Sequence, residues 1–210
     1  MKHNKLKLIY KTLLLLSLSF STQTFAQKQS DSIVSTEKSV EESVKTVPCK
    51  EEERLEAVKK LFVQMGAKET EVTVEKFDKD KISNVVVKKK GKSDEIIVIG
   101  AHYDKTDDGC GAIDNWTGIS IIAHIFKTLR QIETEKSYIF VAFDQEEKGL
   151  RGSNEMVKAI SKESRQNYCA MVNFDSFGFA APIVLQNTSS SKMVSVAKNW
   201  LRKINSHSLP

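Results

Sequence analysis

Apolar and polar residues follow two different periods along this chain, and the changes between them mark out its elements. Leu55, Val58, Phe62 and Met65 recur at spacings of three and four and end at Gly66, which predicts a helix with a glycine stop. Val72 and Val74 alternate as in a strand, and Val85 to Val87 make another. Glu95 to Gly100 (EIIVIG) and Tyr138 to Phe143 (YIFVAF) are continuous apolar runs, the pattern of strands buried on both faces. Between them Trp116 to Leu129 predicts a helix with Ile119, Ile122, Ala123 and Phe126 on one stripe. A helix around Ser153 to Ile160, strands at Cys169–Phe174 and Ile183–Leu185, and a helix from about Ser190 to Ile204 complete the pattern. Strands alternating with helices predict an α/β domain around a largely parallel central sheet, with no internal repeats.

Two stretches fall outside this alternation. Lys2, Lys5, Lys7 and Lys11 precede the short apolar run Leu13–Leu16, Leu18 and Phe20, and Thr24-Phe25-Ala26 resembles a small-x-small cleavage site. Residues 1–26 therefore read as a secretory signal peptide, too short in its apolar part for a comfortable membrane span. No cysteine directly follows the site, which argues against a lipoprotein anchor. The protein is expected to be secreted or periplasmic, with no stable membrane anchor after cleavage. Residues 27–48, rich in Ser, Thr, Gln, Glu and Lys, read as a flexible linker. One domain remains, over residues 49–210.

Charge excludes one class of partner. The formal net charge is +5, and residues 1–26 hold four lysines and no acids, so cleavage leaves about +1. That balance gives no reason to invoke nucleic acid. Lys88, Lys89, Lys90 and Lys92 flank Gly91 between two apolar runs, which predicts a solvated hairpin turn. Export places Cys49, Cys110 and Cys169 in an oxidising compartment; they allow one disulfide and one leftover thiol, with the pairing open. None has the spacing of a cysteine zinc site.

The candidate chemistry lies where predicted strands end, the place where open α/β sheets bind ligands. His102 follows IIVIGA, with Asp104 two residues on; a carboxylate on one imidazole nitrogen leaves the other for metal. Asp114 sits in GAIDNWTG ahead of a helix, as an N-cap or as a carboxylate between two metals. The adjacent Glu146 and Glu147 follow FVAFDQ, so that one can bind metal while the other handles protons; an exposed acidic loop is the plainer reading. Asp175 ends the strand CAMVNF, as a turn former or a ligand.

As an ordered set, GAHYD, GAIDNWTG, FDQEEKGLRGS and NFDSFG resemble the zinc aminopeptidase family M28, bacterial leucyl-aminopeptidase type, over about residues 50–200. The resemblance implies a central mixed sheet between helices and a two-zinc centre. His102 and Asp175 would bind one Zn2+, Asp114 would bridge, and Glu147 would bind the second. Glu146 would be the general acid/base and Asp104 the orienter of His102. The implied substrate is a peptide with a free N-terminus.

The family's final ligand is a histidine near the C-terminus in an Asp-His context. Only His207 is available here, just beyond the last predicted helix and without that context, and it reads as a surface or linker residue. His124, within IIAHIF, reads as packed. A chain lacking its last strand and helix, holding at most one tight zinc, is therefore expected. The rival readings are a single-zinc glutaminyl-peptide cyclotransferase and a domain kept as a binding module.

Overall fold

Three strands running in one direction position everything that follows. In the computed structural model, which describes residues 33–79, 81–178 and 182–207, β3 (Ile96–His102) lies between β4 (Ser137–Phe143) and β5 (Tyr168–Asn173) and is parallel to both. Their carboxyl ends therefore emerge side by side. On the far side of β4 the direction reverses: β2 (Ile82–Lys89) pairs with it antiparallel, and β1 (Val72–Phe77) pairs antiparallel with β2. The order is β1-β2-β4-β3-β5, with two parallel and two antiparallel pairings. The sheet is mixed as expected but only half parallel, where a largely parallel one was predicted, because β1 and β2 join it antiparallel on the far side of β4; the candidate residues follow its parallel strands.

Because side chains alternate across a strand, each apolar run divides between two cores. Val85, Val87, Ile99, Ala101, Phe140 and Ala142 face one side. There they meet α2 (Glu51–Gln64), through Val58 and Phe62, and α3 (Thr117–Leu129), through Ile119, Ile122 and Phe126. Phe62, Phe126 and Phe140 pack edge to face at 5.4–6.4 Å between ring centroids, a geometry favoured by the ring quadrupoles. Val86, Val98, Ile139, Val141 and Phe143 face the other side with Met156 of α4 (Arg151–Ala159). The continuous apolar runs are thus strands buried on both faces.

Several expectations need correction. Residues 37–44, within the stretch read as a linker, form a helix, α1 (Glu37–Val44), whose N-cap Thr36 accepts a hydrogen bond from Ser39 N at 3.2 Å. Its Ser43 is tied to α3: the carbonyl accepts from Trp116 Nε1 at 3.1 Å, and the hydroxyl meets His124 Nε2 at 2.9 Å. His124 is buried as predicted, with Ser35 Oγ on its other nitrogen at 2.6 Å. The lysine-flanked segment at Gly91 is not a hairpin turn, because β4 comes between β2 and β3. It runs along the chain that enters β4, with Lys92 N donating to Thr134 O at 3.0 Å and Ser93 N to Glu135 O at 2.8 Å.

Ile183–Leu185 is not a strand; Ile183 and Leu185 are exposed and outside the sheet. The last helix, α5 (Ser191–His207), runs further than predicted and includes His207 in its main chain. The expected signal peptide, residues 1–26, lies outside the described residues. Among the described residues no helix is long and apolar enough to cross a membrane. Cys49 and Cys110 form a disulfide and Cys169 is an exposed free thiol, which resolves the pairing that spacing left open.

Candidate metal centre

His102 is the last residue of the middle parallel strand, so the loops leaving both neighbours reach it. Its ring is buried at 2% exposure. Nδ1 faces Asp104, 3.3 Å from Oδ1 and 3.2 Å from the carbonyl oxygen. Nε2 faces the other candidates: Asp114 Oδ1 at 3.0 Å, Asp175 Oδ1 at 3.6 Å and Glu146 Oε2 at 3.9 Å. Glu147 joins the group, because one ligand atom each from His102, Asp114 and Glu147 lie within 4.8 Å of one another. All six residues singled out in the sequence are therefore brought together.

Asp104 is buried as deeply as His102. Besides facing the imidazole it accepts hydrogen bonds from two main-chain amides, Glu146 N to Oδ1 at 2.9 Å and Glu147 N to Oδ2 at 3.1 Å. Burial opposes its charge, but His102 and these amides hold its pKa below the usual carboxylate range. Burial would likewise lower the His102 pKa. Asp104 and Asp175 overcome it and push that pKa up to about 10. Glu146 moves the opposite way from Asp104: burial, then Asp175, Asp104 and Asp114, raise its pKa against the pull of His102.

Asp114 does not cap α3. It lies in an irregular turn, 112–116, at non-helical dihedrals, joined to Asn115 by a cis peptide. The capping falls to Asn115, whose Oδ1 accepts from Gly118 N at 3.0 Å and from Ser176 N at 3.3 Å. Its Nδ2 donates to Phe174 O at 2.8 Å. Asn115 is fully buried and fastens the loop of Asp114 to the loop of Asp175. Sequence reading gave it no role of its own; its place between a candidate ligand and a helix start was the available signal.

The donor set suits a divalent cation. Three carboxylates converge on one buried imidazole nitrogen with a fourth close by, an excess of negative charge that oxygen- and nitrogen-binding metals neutralise. The second nitrogen of His102 is held by Asp104, the arrangement that fixes the tautomer of a ligating histidine. Beside His102 and Glu146 opens a cleft of about 190 Å³, walled by Phe143, Leu150 and Met171 with Ser153 and Asn173. A larger hollow of about 370 Å³ lies along α5, lined by none of the cluster's residues.

Comparison with known proteins bears on the same segment. Aminopeptidase YwaD of Bacillus subtilis is 30% identical over 114 residues, 53% of this chain and 25% of that protein. Aminopeptidase Y of Saccharomyces cerevisiae is 28% identical over 96 residues, 45% of this chain and 18% of that protein. This chain spans about a quarter of the length of the first curated relatives it matches. The structure of BSAP, a zinc aminopeptidase from Bacillus subtilis, superposes with a TM-score of 0.54 at 26% identity, covering 59% of this chain and 32% of that one. An Acidobacteriales bacterium glutaminyl cyclase reaches a TM-score of 0.56 at 18% identity, over 66% and 56% of the two chains, a likeness of fold alone. The model of peptidase family M28 matches residues 84–208. That span is more than half of the chain and takes in His102, Asp104, Asp114, Glu146, Glu147 and Asp175, and the chain belongs to peptidase family M28.

Proposed function

We propose that this protein is a zinc-dependent aminopeptidase that hydrolyses the peptide bond after an N-terminal residue. The observation that carries the reading is the convergence of Asp114, Asp175 and Glu146 on Nε2 of His102, while Asp104 occupies Nδ1. His102, Asp114, Glu147 and Asp175 would hold zinc, with Asp114 the carboxylate shared where two ions bind. Zinc supplies Lewis acidity, bringing water toward a pKa of ~7 and polarising a carbonyl.

Glu146 is the group left for proton transfer. Its carboxylate is part-buried beside His102, and its pKa is raised toward the working range of a general base. It would take a proton from the attacking water and return it to the departing amine. The cleft walled by Phe143, Leu150 and Met171 would receive an apolar side chain next to the scissile bond. The basic-then-apolar N-terminus supports export, and the Cys49–Cys110 disulfide fits an oxidising compartment.

Two assays test this on the purified chain: zinc content, and turnover of aminoacyl amides with free or acetylated N-termini. Bound zinc with cleavage that requires the free amine is the expected result. Cyclisation of N-terminal glutamine peptides without amino-acid release would replace the peptidase with a cyclotransferase. Zinc binding with no turnover of either substrate would leave a binding module.

A further inference from the structure

We infer that Arg54 is a positioning residue for this centre, setting the separation between the His102 strand and the Asp114 loop. The inference rests on the metal-binding reading above. Arg54, on the second turn of α2, is fully buried. Its guanidinium lies 5.3 Å from the Trp116 ring centre and donates to carbonyls of three separate segments. Nε donates to Tyr103 O, the main chain between His102 and Asp104. Nη1 donates to Pro48 O at 2.9 Å and to Cys110 O at 3.0 Å, and Nη2 reaches Gly111 O at 3.4 Å.

A buried cation is costly, and an apolar side chain could cover Trp116 without that cost. What the planar five-donor fork adds is simultaneous reach to diverging carbonyls, which a lysine ammonium cannot reproduce. The Cys49–Cys110 disulfide joins two of the same segments, the chain before α2 and the Gly111 loop, but does not extend to Tyr103. Among the described residues Arg54 is the side chain that hydrogen-bonds both Tyr103 and Gly111, one residue beyond His102 and three before Asp114. Gly111 is itself closely packed: a Cβ there would lie 2.7 Å from Lys105 Cβ and 2.8 Å from the Asp114 carbonyl oxygen. Little slack remains between the guanidinium and the candidate ligand.

The test titrates zinc alone, and separately cobalt(II) alone, into the full chain as wild type, Arg54→Met and Arg54→Lys, at temperatures well below unfolding. The expected result is a zinc dissociation constant raised about 10–100-fold in Arg54→Met, the range for lost outer supports of a metal site. Arg54→Lys should recover part of that loss, and the cobalt spectrum should change in both variants. A lowered melting temperature with unchanged zinc affinity and unchanged cobalt spectrum would make Arg54 merely structural and overturn the inference. Should Arg54→Met not fold, Arg54→Lys decides alone: wild-type affinity with a wild-type spectrum overturns it. A wild-type chain that binds no zinc refutes the underlying metal reading instead, and is seen before any variant is compared.

Discussion

The carboxylate of Asp104 accepts a hydrogen bond from the main-chain N–H of Glu146 at 2.9 Å while its same oxygen lies 3.3 Å from His102 Nδ1. The other oxygen accepts from Glu147 N at 3.1 Å. Asp104 thus ties the loop after β4 to the end of β3, so the Glu146–Glu147 pair and His102 share one anchor. Charge-assisted bonds to main-chain amides are among the stronger ones available to a buried carboxylate.

Asp104→Asn should therefore disturb metal and base together. An amide offers one acceptor oxygen where the carboxylate offers two, so one of the two glutamate N–H groups loses its partner. Zinc affinity is expected to fall about 10–100-fold, with turnover reduced even at saturating zinc. Titration of zinc followed by assay in excess zinc checks both; full recovery of turnover at saturation would confine Asp104 to the histidine.

Glu146→Gln separates base from ligand. The change keeps size and removes the ability to accept a proton, so zinc content should stay at the wild-type level while turnover falls about 10²–10⁴-fold, the usual share of a positioned base. Glu147→Gln should do the reverse and lower zinc affinity first. Comparable zinc loss in both variants would show that the two glutamates are not divided as proposed.

The parallel half of the sheet was legible because each of its apolar runs is followed within a few positions by a candidate site residue. YIFVAF precedes Glu146–Glu147, IIVIGA precedes His102, and CAMVNF precedes Asp175. What could not be read was pairing between distant segments. β4 comes between β2 and β3, so the Lys88–Lys92 segment looked like a hairpin turn while its real partners lie at 134–135. Helix α1 escaped notice because Val40 and Val44 are its only apolar residues; Ser43 holds it to Trp116 and His124 instead. Arg54 and Asn115 were missed for a related reason: both act on main-chain carbonyls and amides, which leave no mark in a side-chain pattern.

Removing metal should expose the titration of His102. With its folded-state pKa pushed up to about 10 and an unfolded value near 6.5, the imidazolium stabilises the metal-free fold fully below pH ~6.5. That contribution fades as pH rises through about 10. Asp104 and Asp175, whose pKa values are depressed, act in the opposite sense: their contribution is present above pH ~3.9 and lost as pH falls further. Zinc competes with the His102 proton, so stabilisation by added zinc should grow between pH 6 and 9. Melting curves with and without zinc, on wild type and His102→Asn, test this. A metal-free wild type that gains stability relative to His102→Asn over that range would contradict it.

Asn115 provides the sharpest test of whether the Asp114 and Asp175 loops depend on each other. Its side chain satisfies Gly118 N, Ser176 N and Phe174 O from a fully buried position. Truncation to alanine leaves these groups without their partner, at about 1–3 kcal/mol for each one that stays buried and unmet. Asn115→Ala is therefore expected to cost about 2–4 kcal/mol in denaturant unfolding. It should also weaken zinc binding, since Asp114 and Asp175 would no longer be held to one another. Asn115→Asp can still accept from Gly118 N and Ser176 N, but it turns a carboxylate oxygen toward the Phe174 carbonyl and adds charge beside Asp114. It should unfold more readily than wild type when metal-free and recover more of its stability than the alanine variant when zinc is added. Equal recovery in the two variants would mean that the two loops are fixed independently of residue 115.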